Sequence, residues 1–269
     1  MNPALLFGAL LIGATCAAGA RYGARVGLAS AAIVASTPTF LSQIVQPVSH
    51  VPAAALWLTA VAAVTAGRNQ GAVIGGIAAA AAIVMRPHLV PLVIPLVLFL
   101  LLRPERLWRE RIGAVARFAA AAAAGAVCVA IIRNAFDGSP FSSGYESIDA
   151  FFNAQNVAPN ATRYATWLSE TLTPGWVLVA AAPFLLPGAL TRLFLWMFLV
   201  NVACNLPYAV ADDWSDLRVL LPTIPLVVVL AIAVIDSLCR RTWSWTSRPV
   251  LAAVAAAMVI FGIRARLFT

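Results

Sequence analysis

The feature that most restricts this chain is the recurrence of apolar runs of roughly 15–20 residues, each closed by arginine, proline or a short polar turn, a spacing that suits helices crossing a bilayer. The run Val219 to Leu238 is the clearest, and Gly71 to Met85 and Leu89 to Leu102 repeat the theme. With 62% hydrophobic residues, 10% charged residues and a mean hydropathy of +0.91, the chain has too little polar surface to solvate a water-soluble domain. The expected fold is therefore all-α: a single transmembrane helical bundle over 1–269 with about nine or ten spans. We place ten, at 2–20, 26–45, 51–66, 71–86, 88–102, 112–132, 174–190, 193–210, 219–238 and 249–263. The formal charge of +8 is scattered over short turns, so it speaks for membrane orientation and against nucleic-acid binding.

Arginine sets the orientation. The segment Arg103 to Arg117 carries five Arg against two Glu and is expected to face the cytoplasm. Alternation then puts Arg21, Arg25, Arg68, Arg192, Arg240, Arg241 and Arg248 on the same side. Arg264 and Arg266 fall outside, against the trend. So does Met1, with no upstream span to carry it there, so an N-terminal helix and loop are expected to be missing. The opening run lacks a basic flank and does not read as a cleavable signal. Cys16, Cys128, Cys204 and Cys239 lie in or at the ends of apolar runs and read as small hydrophobes.

Polar residues gather on the expected outer side. The largest piece is the loop 134–175 between the sixth and seventh spans, where 147–156 and 161–172 read as interfacial helices; Tyr164, Trp167 and Leu168 share one face of the second. Asn160-Ala-Thr162 in that loop is a sequon, a weak three-residue match. Gln43 to His50, the turn Arg86-Pro87-His88 and the knot Asp212-Asp213-Trp214-Ser215-Asp216 complete the set.

A carboxylate cluster between two apolar runs is costly unless partnered at the water boundary, so it is a site by default. Asp212, Asp213 and Asp216 have three readings: helix capping, pairing with Arg218, or service as a general base or divalent-cation ligand, for which Asp213 and Asp216 are the catalytic candidates. No complete metal-ligand pattern follows. Arg86 and Arg218 stand against the positive-inside bias, and two readings fit: snorkelling into headgroups, or holding a phosphate with their planar forks. His50 and His88 are each alone on short turns, and Trp214 flanks the acids. Asp236 sits four residues before Arg240 and reads as a helix ion pair. The stretches Gly71 to Ala82 and Phe118 to Gly125 are small-residue faces suited to close helix approach.

Several of these stretches resemble one family. Ser36-Thr-Pro-Thr-Phe40, Gln46 to Trp57 with its Pro47 and Pro52, the small-residue span ending in Arg86-Pro87, and Asp213-Trp-Ser-Asp-Leu-Arg218-Val-Leu-Leu-Pro222 are similar to the bacterial protein O-mannosyltransferase and aminoarabinose transferase group of type C glycosyltransferases. The resemblance implies a multi-pass inner-membrane protein that takes a sugar from a polyprenyl-phosphate donor and passes it to an acceptor protein, lipid or glycan on the outer face. It implies donor-phosphate contacts at Arg86 and Arg218, with the loop 134–175 over the site. Two departures stand out. The family's first outer loop, which carries its catalytic Asp, has no counterpart here, and Ser49-His50-Val51-Pro52 stands where the family has Ser-Asp-Val-Pro. Enzyme activity of this chain alone is thus left open, beside two rivals: a transporter or flippase for an anionic lipid or sugar phosphate, and a non-catalytic membrane subunit.

Overall fold

A computed structural model of the chain describes residues 3–46, 48–68, 70–103, 107–139, 152–209 and 213–242, with 252–254, 256–258 and 260–261. These residues are helical throughout, apart from turns and an isolated antiparallel bridge between Phe152 and Tyr208. The helices are α1 (Pro3–Gly19), α2 (Ala24–Ser36), α3 (Pro38–Ile44), α4 (His50–Thr65), α5 (Gly71–Met85), α6 (Val93–Leu101), α7 (Trp108–Asp137), α8 (Val157–Leu172), α9 (Ala182–Leu185), α10 (Ala189–Asn205) and α11 (Ile224–Thr242). Short 3₁₀ stretches, Pro87–Leu92, Pro174–Ala181 and Trp214–Leu220, lead into α6, α9 and α11.

Only α7 is by itself long and apolar enough to cross a membrane among the described residues; three bent pairs match it if each is counted as one span. Several expected spans are thus broken. The run 26–45 splits at Thr37, because the residue before Pro38 is pushed to extended backbone (ψ 137°), and α2 and α3 meet at 61°. The freed carbonyl of Val34 accepts from both the backbone N–H and the hydroxyl of Thr37, so the break leaves it satisfied. The expected span 219–238 begins with a corner of 87° at residues 221–223, after which α11 starts. The segment 174–190 bends away from α8 by 107°. Of the expected tenth span, 249–263, residues 252–254, 256–258 and 260–261 are described and are helical; of the predicted helix 147–156, residues 147–151 fall outside the described residues and Ala154–Asn156 is a single 3₁₀ turn.

Packing follows from residue size. α11 is the central post: from Ile224 to Val234 nearly every side chain is buried, against α1, α2, α10 and the Pro174–Ala181 stretch. α5 lies between α4 and α7. A Cβ placed on Gly125 of α7 would come 2.5 Å from the Ala80 carbonyl oxygen, and one on Gly76 2.7 Å from that of Phe118, so both glycines are required for this approach. The small-residue faces read from the sequence are therefore the α5–α7 interface. α7 buries only the stripe Ala114, Phe118, Ala122 and Gly125 and leaves its other faces open.

Three elements, α4, the stretch 87–101 and α10, run between the same two ends of the bundle. His50, His88 and Asn205 line a cavity at one end, whereas Thr65, Phe99 and Ala189 line a cavity at the other. At 1.5 Å per residue, the 17 residues of α10 separate the two ends by about 25 Å.

Candidate functional site

The first cavity, about 330 Å³ in volume, brings together side chains from across the chain. Arg86 arrives at the end of α5, where Pro87 stops the helix and leaves Arg86 extended (φ −145°, ψ 89°). Its guanidinium Nε donates to Ser49 Oγ at 2.9 Å, and Nη2 lies 2.6 Å from His50 Nε2. Because a guanidinium only donates, Nε2 accepts and the imidazole is neutral, with its proton on the other ring nitrogen. The backbone of Arg218 lies on the other side of the His50 ring. One histidine thus stands between the two arginines, which are 132 residues apart in the sequence.

Arg218 is carried by the 3₁₀ stretch before the 87° corner, and its Nη2 pairs with Asp216 Oδ1 at 2.8 Å. The Arg218 side chain keeps 39% of its surface exposed, against 16% for Asp216. The cavity wall also holds His88, Tyr164, Trp167, Asn205 and Tyr208. Among the described charged residues of its lining, Arg86 and Arg218 outnumber Asp216, leaving a net +1 with neutral histidines. Such a cavity favours an anion, and the forked donors suit phosphate or carboxylate oxygens.

Of the residues singled out from the sequence, Arg86, Arg218, His50, His88 and Asp216 line this cavity together. Asp213 does not. Its carboxylate accepts from the Ser215 backbone N–H at 3.1 Å and caps the 3₁₀ stretch, so its role here is the capping one. Trp214, half-buried, is not part of the lining, and Asp212 lies outside the described residues. Asp236 and Arg240 form the expected pair, at 2.7 Å. Among the described residues no three His, Cys, Asp or Glu side chains gather as a metal site, so the divalent-cation reading finds no ligand set there.

The sequence reading missed the opposite wall. Asn160, taken as part of a sequon, is 2% exposed, and its amide donates at 2.8 Å to both the Leu206 and the Tyr208 carbonyls. That amide pins α8 to the end of α10 and leaves no room for a glycan. Tyr164, one helical turn on, is buried and its hydroxyl donates to the Asn205 carbonyl at 3.4 Å. Burial, then the nearby Asp216 and Tyr208, push its pKa up to about 12. Behind them Asn205 donates to Asn201, which donates to Thr223 Oγ1 at 2.9 Å, bracing the corner before α11. The apolar period of α8 was legible; its hydrogen bonds to distant backbone carbonyls carry no sequence signature. Comparison with known protein families, with characterised proteins and with solved structures gives no match to this chain.

Proposed function

We propose that this chain is a polytopic membrane protein of the bacterial inner membrane that binds the phosphate of a polyprenyl-phosphate-linked sugar at its outer face and acts in transfer of that sugar. The observation that carries the reading is the meeting of Arg86 and Arg218 at one cavity, with His50 bonded to Arg86 in the same lining. On this reading the broken and shortened helices are the spans, with their unwound backbone turned to protein rather than lipid. Transfer would be an inverting displacement: an acceptor oxygen or nitrogen bonds to the anomeric carbon as the bond to phosphate oxygen breaks. The electron pair leaves with the polyprenyl phosphate, whose charge the two guanidiniums stabilise, and the acceptor proton goes to a base.

A second reading has its own support. Asp216, the carboxylate among the described lining residues, is taken up by its ion pair with Arg218, which fits a subunit that binds the donor without turnover.

Proteoliposomes holding the full chain and a radiolabelled polyprenyl-phosphate sugar test both. Arg86→Gln and Arg218→Gln are each expected to lower donor retention roughly 30-fold, the loss of a charge-assisted hydrogen bond of about 2 kcal/mol. Arg117→Gln, whose guanidinium bonds Gly113 in an exposed turn of α7, should leave retention unchanged. Retention that all three variants share with the wild type would remove the phosphate-binding reading. Retention without transfer to any supplied acceptor selects the subunit over the enzyme.

A further inference from the structure

At the opposite end of the bundle, separated from the first cavity by the length of α10, about 25 Å, lies the second cavity, about 360 Å³ in volume. It forms where the α1–α2 turn brings Arg21, the α4–α5 turn brings Gly67, the end of α6 brings Phe99 and Arg103, and α10 begins at Ala189. Phe99 and Ala189 also line an adjoining groove of about 230 Å³, whose walls include Leu98, Leu193 and Trp196 together with Arg192. None of the described residues lining either space is acidic.

The two spaces are pre-arranged. Arg103 Nη2 donates to the Val64 carbonyl at 3.0 Å, and its guanidinium stacks over the Phe99 ring at 4.5 Å. The Tyr22 hydroxyl lies 2.9 Å from Thr191 Oγ1, tying the turn that bears Arg21 to the start of α10 that bears Arg192. Arg21 and Arg192 are exposed. A cationic pocket opening into an apolar groove matches a ligand with an anionic head and an apolar tail. A soluble phosphate would use the first and leave the second wetted.

We propose that this end holds an anionic glycerophospholipid of the cytoplasmic leaflet, its headgroup phosphate against Arg21 and Arg103 and an acyl chain along Leu98 and Trp196. The proposal rests on the membrane-embedded reading and is independent of what Arg86 and Arg218 bind.

The test uses the full chain, extracted in detergent and exchanged into nanodiscs of phosphatidylcholine with or without a tenth of phosphatidylglycerol. Retained lipid is counted by native mass spectrometry and unfolding is followed by tryptophan fluorescence. Wild type is expected to retain phosphatidylglycerol at least 10-fold over phosphatidylcholine and to melt several degrees higher with it. Arg21→Gln with Arg192→Gln should reduce that preference to within 2-fold while melting normally in phosphatidylcholine. Arg86→Gln should keep the preference in full, which separates this site from the first. Equal retention of the two lipids by wild type, an undiminished preference in the double variant, or stabilisation by glycerol 3-phosphate alone would each overturn the proposal.

Discussion

Replacing Asn160 with alanine separates two incompatible roles for one residue. If Asn160 is a wall element, Asn160→Ala deletes two 2.8 Å hydrogen bonds and leaves the carbonyls of Leu206 and Tyr208 without that donor. At about 0.5–1.5 kcal/mol for each bond, the cost is about 1–3 kcal/mol. For a chain of this size that is a fall of roughly 4–8 °C in melting temperature at the middle of the range. The assay is thermal unfolding in detergent read by tryptophan fluorescence, with Trp167 on the same helix as reporter. Thr162→Ala is the control: it destroys the sequon, but its hydroxyl is exposed and bonds only one turn back, to Ala158, so the melt should not move. Asn160→Asp should be worse than alanine, since it turns a donor toward two carbonyls into an acceptor and removes the net positive charge of the cavity, lowering phosphate affinity as well. Equal melting of wild type and Asn160→Ala, or a glycan found on Asn160, would refute the reasoning.

Four further outcomes follow from other contacts. His50→Ala should weaken phosphate binding about 10-fold by releasing Arg86, and His50→Gln should restore part of it, because an amide oxygen also accepts from a guanidinium; titration with labelled donor measures both. Gly125→Val meets the backbone of Ala80 and should cost about 1–3 kcal/mol in unfolding, whereas Gly113→Ala, with open space around it, should be neutral or mildly stabilising. Arg240→Gln strips the partner from Asp236, which is 4% exposed, so the melt should drop, and adding Asp236→Asn should recover much of the loss. Tyr164 holds its proton more tightly folded than unfolded; its stabilising share is complete below pH 10 and fades as pH climbs toward 12, so Tyr164→Phe should flatten the alkaline limb of a stability profile.

What could be read from the sequence was the part that depends on residue type and period. Helical class, the two small-residue faces, the Asp236–Arg240 pair and the placement of Arg86, Arg218, His50 and His88 at one end follow from hydropathy, spacing and alternation, whereas the pairing of those two faces with each other does not. Corners were harder. Pro38 announces the first and Pro222 sits inside the 87° turn at 221–223, but the bond that holds that turn, Asn201 reaching Thr223 from another helix, has no local signature. Asp213 and Asp216 look alike in sequence, yet one caps a turn and the other faces the cavity, because Asp213 has extended backbone (φ −123°, ψ 143°) just before the 3₁₀ stretch that carries Asp216.

The corner before α11 divides two tasks that a straight helix would have to share. The cavity residues Arg218 and Asp216 stand on a seven-residue stretch, and the buried core post is the nineteen residues that follow. Side chains of the post can therefore be exchanged over evolutionary time without turning the guanidinium at the cavity, and the short stretch can change its chemistry while the packing of the post stays as it is.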